Sequence, residues 1–466
     1  MGHGQGQGQH TISRRGLLSA IAVAAASTTT PAHGTARQSS PPPTTWQEFT
    51  AAPYTHPQIP YVGRAGAHAG ARRAPRHPVV ANVLHYGAKP DSSADAAPAI
   101  NRALAAAGAR GGGTVVVPPG TYRIDDVIRI GHSNVVLRGA GSTRTKLLAT
   151  RNLTELIGPY GSRYGGDKSS WSWAGGLIWL CPQGRYESLT AGIRAKAWPF
   201  EGWTGNKRDE WRTLTTVAPA ERGDRTITVH NATRLHPGRP VLLRLADDAT
   251  HTLLAHIAGD SPGAHAYTWD DKTKLTSYVP YEWPVRITRV TGTELTLERP
   301  LPLDIRPEWD PSVEDFAIAQ RTTPPPAGTQ LHGINVEGLS SYNVWSRGVM
   351  HMGTFDTHRG MPFANVRTQI TVNNNGRHGG DASAGPLYGA RFTHWNVTVT
   401  NARAGLVKID TIAPYSATVG ISEVREFDQT DVPDFTGPLH SRLEAYGSPT
   451  SVHPPNLYEA QRALTR

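Results

Sequence analysis

The stretch that decides the fold is residues 82–148, which read NVLHYGAKPDSSADAAPAINRALAAAGARGGGTVVVPPGTYRIDDVIRIGHSNVVLRGAGSTRTKLL. An alanine-rich segment within it, Ala94–Ala109, has Ile100 and Leu104 four residues apart, so both fall on one face of a helix. The glycines Gly111–Gly113 end this helix, because glycine readily takes the left-handed conformation that closes a helix. The stretch therefore predicts one short helix followed by a change of pattern.

The pattern after the glycines is that of short strands. β-Branched and apolar pieces separated by tight turns follow one another: Thr114–Val117, Tyr122–Ile124, Val127–Ile130 and Val135–Leu137. Strands this brief and this closely spaced favour a solenoid over a sandwich. The helix in front of them would cover the exposed end of the first coil, as the terminal unit of a repeat protein must.

The same stretch resembles the N-terminal signature of the pectate-lyase superfamily. The resemblance lies in the order N-V-x-x-Y-G-A-x-x-D, a short helix, GGGTVVVPPGTY and then NVVLRGAGS, over about 65 residues. It implies an all-β protein that folds as a right-handed, single-stranded parallel β-helix with an N-terminal capping helix. The superfamily contains lyases, hydrolases, epimerases and phage depolymerases, so the scaffold does not fix the reaction.

The chain opens with a segment that resembles a twin-arginine export signal. Ser13–Leu18 reads SRRGLL, and an apolar run to Ala26 and small residues follow. We therefore interpret residues 1–36 as a signal peptide and expect a secreted protein; a disordered basic tail is the alternative. The apolar run is too short for stable membrane insertion. Residues 37–80, rich in proline, alanine and arginine, are interpreted as a linker.

Charge and composition narrow the class of partner. The net charge is +10 with 20 histidines, so a secreted form would be drawn to polyanions, of which acidic extracellular polysaccharides are the main kind. The sequence shows no basic helix or RNA-binding motif, which argues against nucleic acid, and no phosphate-binding glycine loop, which argues against a nucleotide cofactor. The single cysteine, Cys181, excludes an internal disulfide framework. We expect a monomer.

The end of the first coil region, predicted over residues 81–212, is rich in tryptophan. Six of the twelve tryptophans lie between residues 150 and 212. Exposed aromatic faces stack on the C–H faces of sugar rings, and on this ground Trp171, Trp173 and Trp203 are candidate substrate contacts. The open alternative is that they fill irregular loops against the coils, since tryptophan is mostly buried.

Two further regions complete the predicted organisation. Residues 213–302 alternate in a strongly β pattern with turn residues, which indicates a β-module inserted between coils. Residues 303–466 return to strand-like pieces spaced by roughly 20–25 residues, the length of one solenoid turn. Only a few residues separate the coil-like segment near Ile334 from the segment near Val344 that resembles the C-terminal part of the family. This short distance indicates that some central coils of the family are missing. Asn373–Asn375 fits an asparagine ladder or a hydrated loop.

The candidate catalytic residues lie between His351 and Asp410, where coil stacking would bring separated residues onto one face. In a lyase, a base removes the proton beside a uronate carboxylate while cations neutralise that carboxylate. The residues of suitable type are His358 and His378 as base, Arg359 and Arg377 as carboxylate clamp, and Asp356 and Asp381 as orienting groups or calcium ligands. His394 and Lys408 are further candidate substrate contacts.

Two other functions stay open. A glycoside hydrolase on the same scaffold would need two carboxylates flanking the bond, and an Asp pair from this region is the available set. A carbohydrate-binding or adhesion protein without catalysis is the second alternative. Calcium is the one cofactor that the pattern leaves open, with no ligand set fixed. The preferred prediction is a polysaccharide lyase that cleaves a uronic-acid polymer by β-elimination.

Overall fold

A computed structural model describes most of the chain. The residues it describes are 43–66, 77–141, 143–159, 171, 176–195, 212–267, 269, 280–315, 333–337, 339–358, 361–374, 389–401, 413–422, 438–445 and 452–464. At residues 183, 185, 333–337, 354 and 356–358 the description covers the backbone alone.

The N-terminal region is a stack of three parallel coils. Helix α1 (Thr44–Ala51) precedes it and packs elsewhere. The elements that follow are β1 (Val79–Asn82), a 3₁₀ turn (Val83–Tyr86), β2 (Ser92–Asp95), α2 (Ala97–Ala109), β3 (Gly113–Val117), β4 (Gly120–Ile124), β5 (Ile128–Ile130), β6 (Val135–Gly139), β7 (Thr145–Ala149), α3 (Leu153–Leu156), β8 (Ile178–Leu180) and α4 (Gln183–Arg194). Three parallel ladders run along the stack, in the orders β1-β3-β6, β2-β4-β7 and β5-β8. We call residues 79–180 the N-terminal stack.

Helix α2 packs on the apolar interior of the N-terminal stack. Its residues Ile100 and Leu104 are buried together with Val115 and Tyr122 of the strands. The predicted capping helix is therefore confirmed, three residues shorter at its start than the sequence pattern indicated.

The middle region is a six-stranded antiparallel sheet, which differs from the parallel coils on either side. Its elements are β9 (Thr213–Thr216), β10 (Thr226–Thr228), β11 (Pro240–Leu245), α5 (Thr252–Ile257), α6 (Pro262–Ala266), β12 (Tyr281–Thr291), β13 (Glu294–Leu297), a 3₁₀ turn (Pro307–Trp309) and β14 (Ser312–Asp315). The strand order is β10-β13-β12-β11-β14-β9. The sheet packs through Trp283 and Trp309 into one apolar cluster with Met361 and Phe363 of the following coils.

The C-terminal region is a second stack of parallel coils. Its elements are β15 (Gly333–Glu337), β16 (Val344–Ser346), β17 (Val349–His358), β18 (Val366–Asn374), β19 (Thr393–Val399), β20 (Ala417–Ile421), β21 (Arg442–Glu444) and α7 (Leu457–Leu464). The ladder runs β15-β17-β18-β19-β20-β21, with β16 beside β18, and every pairing is parallel. Paired residues are 21 to 27 positions apart, close to the predicted spacing. We call residues 333–445 the C-terminal stack.

The C-terminal stack turns its corners with left-handed residues that recur once per coil. One set consists of Tyr342, Ala364, Arg391, Tyr415 and His440, and a second set of Arg347, Gln369, Asn396, Gly420 and Ala445. In both sets the successive residues are 22, 27, 24 and 25 positions apart, and their φ angles lie between 51° and 72°. The repeat of the backbone is thus regular even though the residue types are not.

Segments from both ends of the chain cover one flank of the C-terminal stack. Phe49, Ile59 and Val62 are buried in one cluster with Trp395 and Leu457. Residues 43–66, part of the segment interpreted as a linker, are therefore packed against the last coils, because their few apolar side chains are buried there.

The predicted right-handed parallel β-helix with an inserted β-module is confirmed by these ladders, since connections between parallel strands are almost always right-handed. Asn401 donates its side-chain N–H to the side chain of Asn373 in the neighbouring coil, which is one step of the predicted asparagine ladder; Asn375 lies outside the described residues. Within the described ranges, no helix is both long and apolar enough to cross a bilayer.

Candidate functional site

The structure describes only part of the predicted catalytic set. Asp356 and His358 lie in β17, where their backbones pair with Asn335 and Glu337 of β15. Arg359, Arg377, His378, Asp381, Trp173, Trp203 and Lys408 lie outside the described residues. The convergence of these residues on one face stays a prediction.

The two predicted substrate contacts whose side chains are described are buried. Trp171 is 8% exposed and donates its indole N–H to the carbonyl of Gly158 at 2.7 Å. His394 is 1% exposed, and its Nε2 lies 3.1 Å from a guanidinium nitrogen of Arg367. Burial and the charge of Arg367 hold the pKa of His394 well below its usual range, so the ring is neutral. Neither side chain presents a face to solvent, and their roles as substrate contacts stay predictions that burial does not favour.

An open groove lies where three separate parts of the chain meet. The groove is shallow, with a cavity volume of about 30 Å³ inside a space of about 440 Å³ that includes open solvent, and it is lined by Tyr54, Tyr61, Val62, Arg64, Ala65, Trp283, Arg299, Pro300, Leu301, Pro302 and Tyr342. The first five come from the N-terminal segment, the next five from the antiparallel sheet and its following loop, and the last from a corner of the C-terminal stack. We call this cavity the aromatic–arginine groove.

The groove combines flat rings with positive charge. The rings of Tyr54 and Tyr61 meet edge to face at 4.7 Å, and the guanidinium of Arg299 lies 5.0 Å from the centre of the Trp283 ring. Arg299 also donates to the carbonyl of Pro284, which fixes its orientation. None of the described residues that line the groove is a carboxylate. The groove is therefore suited to an anionic ligand with flat apolar faces.

Tyr342 is a lining residue of the groove, and its phenol is neutral. Its hydroxyl donates to the carbonyl of Pro302 at 3.0 Å. Burial raises the pKa of Tyr342, against the opposing effect of nearby arginines, among them Arg222. The phenol is therefore neutral and does not repel an acidic ligand.

A second polar cluster joins helix α5 to the loop before β14. Its members are His256, Asp260, Asp304 and Arg306, with His265 at the rim. His256 Nδ1 is 2.5 Å from Asp260 Oδ2, and Arg306 Nη2 is 2.7 Å from the same oxygen and 3.1 Å from Asp304 Oδ2. We call these residues the His–Asp–Arg network.

The His–Asp–Arg network uses both ring nitrogens of its histidine. The backbone N–H of Asp304 donates to His256 Nε2 at 3.2 Å, so the ring proton is on Nδ1 and is shared with Asp260. Burial lowers the pKa of His256 in spite of the neighbouring carboxylates, and the ring is neutral. Burial alone would raise the pKa of Asp260, but hydrogen bonds from His256 and Arg306 hold it below its usual range. The histidine is therefore not free to act as a base.

The same network does not fit a metal ion. His256, Asp260 and Asp304 are of the types that bind metals, and one atom of each lies within 4.8 Å of the others. However, Arg306 Nη2 lies within 3.1 Å of all three groups and neutralises both carboxylates itself. We conclude that the network is a structural clamp whose cation is Arg306.

The N-terminal stack is similar in sequence to known proteins. Residues 80–180 match the model of the family described as rhamnogalacturonase A/epimerase, pectate lyase-like. A stretch of 130 residues, 26% of this chain, is 33% identical to mannuronan C5-epimerase AlgE3 from Azotobacter vinelandii. That stretch spans only 6% of the length of the epimerase.

Solved structures of phage tailspikes are similar over a larger part of the chain. The Gp54 tailspike of Acinetobacter baumannii bacteriophage AP22, in complex with a capsular saccharide of A. baumannii, covers 73% of this chain and is 10% identical, with a TM-score of 0.26. The gp49 tailspike of Pseudomonas phage LKA1 also covers 73% and is 12% identical, with a TM-score of 0.30. This chain spans 46% and 51% of their lengths. At such TM-scores these likenesses carry no conclusion about function.

Proposed function

We propose that this chain, whose residues 80–180 belong to the pectate-lyase-like superfamily, binds and modifies a polysaccharide that contains uronic acids. The observation that carries the proposal is the aromatic–arginine groove, which has two guanidinium groups and several aromatic rings and no carboxylate among its described lining residues. A uronate offers the complementary features, namely a carboxylate and a sugar ring with an apolar face.

In this proposal the groove holds the polymer. Arg64 and Arg299 pair with uronate carboxylates, since a planar guanidinium matches the two oxygens of a carboxylate. Tyr54 and Tyr61 contact the C–H faces of the sugar rings. The net charge of +10 favours the approach of an acidic chain from a distance.

The proposed reaction is β-elimination. A base takes the proton from the ring carbon that bears the carboxylate, and the electron pair forms a double bond as the glycosidic oxygen on the neighbouring carbon leaves and receives a proton. A cation on the carboxylate stabilises the carbanion that develops. The base in the proposal is His358 or His378, with Arg359 or Arg377 on the carboxylate, as the sequence predicts.

Epimerisation is the second candidate, and the match to the mannuronan C5-epimerase favours it. Its first step is the same removal of a proton from the carbon beside the carboxylate. The two reactions diverge afterwards, because an epimerase returns a proton to the opposite face and breaks no glycosidic bond. Hydrolysis is less favoured: of the described carboxylates near a histidine, Asp260 and Asp304 are occupied by Arg306, and Asp247 is bonded to His251.

A panel of acidic and neutral polysaccharides tests the proposal, with and without a calcium chelator. Ultraviolet absorbance of unsaturated ends identifies elimination, and altered proton resonances without chain cleavage identify epimerisation. New reducing ends without absorbance would instead indicate a hydrolase, and retention on a glycan gel without turnover would indicate a binding protein.

Variants of the groove test whether it holds the acidic polymer. We expect Arg64→Ala and Arg299→Ala each to weaken binding of acidic polymers, and Arg289→Ala to leave it unchanged, because Arg289 is exposed on the same sheet and does not line the groove. Equal binding of neutral and acidic polymers by the wild type, with no effect of either groove variant, would overturn the proposal.

A further inference from the structure

We infer that the C-terminal helix α7 positions one wall of the aromatic–arginine groove, with Gln461 as the positioning residue. The inference rests on the proposed function, in that it explains how the saccharide site is held in shape. The wall in question is Pro60–Ala65, which carries Tyr61 and Arg64 into the groove.

Gln461 holds this wall on both sides of Tyr61. The backbone N–H of Val62 donates to Gln461 Oε1 at 2.6 Å, and Gln461 Nε2 donates to the carbonyl of Pro60 at 3.1 Å. The side chain of Gln461 is fully buried, so water cannot replace these two bonds without a change in packing. One amide group therefore fixes the backbone on either side of a groove tyrosine.

Two further contacts fix the same wall against α7. The hydroxyl of Tyr458 donates to the carbonyl of Ala65 at 2.7 Å. The backbone of Gly63 approaches the helix so closely that a Cβ there would lie 2.9 Å from the carbonyl oxygen of Gln461. The wall and the helix are thus in contact along their lengths and cannot shift independently.

The helix is in turn anchored on the C-terminal stack. The backbone N–H of Leu457 donates to the hydroxyl of Thr368 at 2.9 Å, and Asn456 donates to Ser346 at 2.8 Å. Leu457 is buried in the cluster that contains Trp395. A continuous set of contacts therefore runs from the rigid coils through α7 to the groove wall.

The groove consequently needs both ends of the chain. The bonds between Val62 and Gln461 and between Pro60 and Gln461 join residues 399 and 401 positions apart. Neither a chain lacking the last helix nor one lacking the N-terminal segment could form this wall.

The test replaces Gln461 in the full-length protein and measures binding of oligomannuronate and oligogalacturonate by titration. Gln461→Met fills the same space but forms neither of the two hydrogen bonds to the wall, and we expect the affinity to fall about tenfold because Tyr61 and Arg64 lose their fixed positions. Gln461→Glu keeps an acceptor for Val62 but places a buried carboxylate against the carbonyl of Pro60, and we expect it to bind no better than Gln461→Met. Ala463→Ser, on the exposed side of α7, is the matched control and should bind as the wild type.

Hydrogen exchange of the ligand-free protein separates this inference from the proposed function. In Gln461→Met the amides of residues 61–65 should exchange faster, while those of β18 and β19 stay protected. Unchanged exchange in residues 61–65, or unchanged affinity in Gln461→Met, would overturn the inference. If the wild type binds no acidic oligosaccharide, the proposed function fails, and the exchange result still decides whether α7 positions the wall.

Discussion

The two stacks of coils build the same parallel ladder with different residues. In the N-terminal stack, glycines such as Gly112, Gly113 and Gly120 take positive φ angles, and Gly120 lies so near Pro90 that a Cβ would be 2.4 Å away. In the C-terminal stack the left-handed corners fall on tyrosine, alanine, arginine, glutamine, asparagine and histidine, with Gly420 as the one glycine among the ten. The difference shows that a coil can be fixed by local backbone preference or by the packing of its neighbours.

This contrast also separates the recognisable part of the molecule from its candidate site. The N-terminal stack carries the family match and is closed by its own helix α2. The C-terminal stack is covered by segments from both chain ends, and that covering creates the aromatic–arginine groove. We therefore expect the two regions to respond differently to mutation and to pH.

The largest effect should come from the aromatic core of the covered flank. Trp395 is fully buried and donates to the carbonyl of Pro454 at 2.6 Å. We expect Trp395→Ala to lower the free energy of unfolding of the C-terminal stack by about 3–5 kcal/mol, the usual range for removing a buried tryptophan. Hydrogen exchange followed region by region should show faster exchange in β18–β20 and unchanged exchange in β3 and β6.

The reciprocal variant is Ile100→Ala in the capping helix, which should expose β3 and β6 and leave β18–β20 protected. Ile100 is fully buried in a cluster that contains residues of the N-terminal region alone. If each substitution accelerated exchange equally in both stacks, the two regions would be one cooperative unit and the contrast would not hold.

The sequence predicted the fold where local preference determines it. The glycine run, the alanine-rich helix and the brief apolar strands of residues 82–148 indicate coils and a cap by themselves, and the coils and the cap are present. The antiparallel sheet was also visible as alternating strands, although it extends to Asp315 instead of residue 302. The helix and the first coils depend mainly on neighbours close in sequence, whereas the sheet also pairs strands as distant as β9 and β14.

The sequence did not predict the groove, because none of its three parts carries a signal alone. Residues 54–65 have no apolar periodicity, and their conformation depends on Gln461, about 400 positions away. Corner residues such as Tyr342 gave no signal either, since tyrosine rarely takes a left-handed conformation and here does so through contacts with adjacent coils. The candidate catalytic residues were predicted between residues 351 and 410 because charged residues are dense there. The described groove residues are instead dispersed along the chain.

The covered flank should also be the acid-sensitive part of the molecule. Burial lowers the pKa of His56 to about 4; nearby Glu48 opposes this shift, while Arg442 and Arg222 favour it. His56 Nδ1 accepts hydrogen bonds from the backbone N–H groups of Gln58 and Ile59 at 3.2 and 3.0 Å, which protonation would remove. The N-terminal segment should therefore loosen in acid.

The direction in which stability changes with pH follows from proton binding by His56. The unfolded histidine binds a proton near pH 6.5 and the folded one near pH 4, so stability is full above the first value and falls as the pH drops towards the second. The loss should reach about 3 kcal/mol, measured as hydrogen exchange of residues 43–66 across this pH range. Replacement of the exposed His85 with glutamine should not alter the profile, whereas His56→Gln should flatten it. An unchanged profile in His56→Gln would contradict the assignment.

A smaller effect should follow from replacing a corner asparagine. Asn396 has φ 51° and donates to the carbonyls of Val452 and Pro455 at 2.9 Å, while its Oδ1 accepts from the N–H of Val452 at 2.8 Å. We expect Asn396→Ala to reduce stability by about 2 kcal/mol, since buried partners lose their bonds. Asn134 in the N-terminal stack has φ 61° and is exposed, so Asn134→Ala isolates the backbone contribution and should cost about half as much in thermal or denaturant unfolding. Equal losses would mean that the buried bonds contribute nothing.

The smallest effect tests whether a corner of the C-terminal stack is held against its backbone preference, because the same change should have opposite signs at that corner and inside a helix. Ala445 is exposed at a left-handed corner with φ 51°, where a Cβ is unfavourable, and Ala445→Gly should stabilise the protein by up to about 1 kcal/mol. Ala105 is exposed in the middle of α2, and Ala105→Gly should destabilise it by about 1 kcal/mol, since glycine loses more entropy in a helix. Denaturant titration of both variants measures the two changes in the free energy of unfolding. A loss of stability in both would show that the corner at Ala445 is not held against its backbone preference, and that packing alone does not explain the coils of the C-terminal stack.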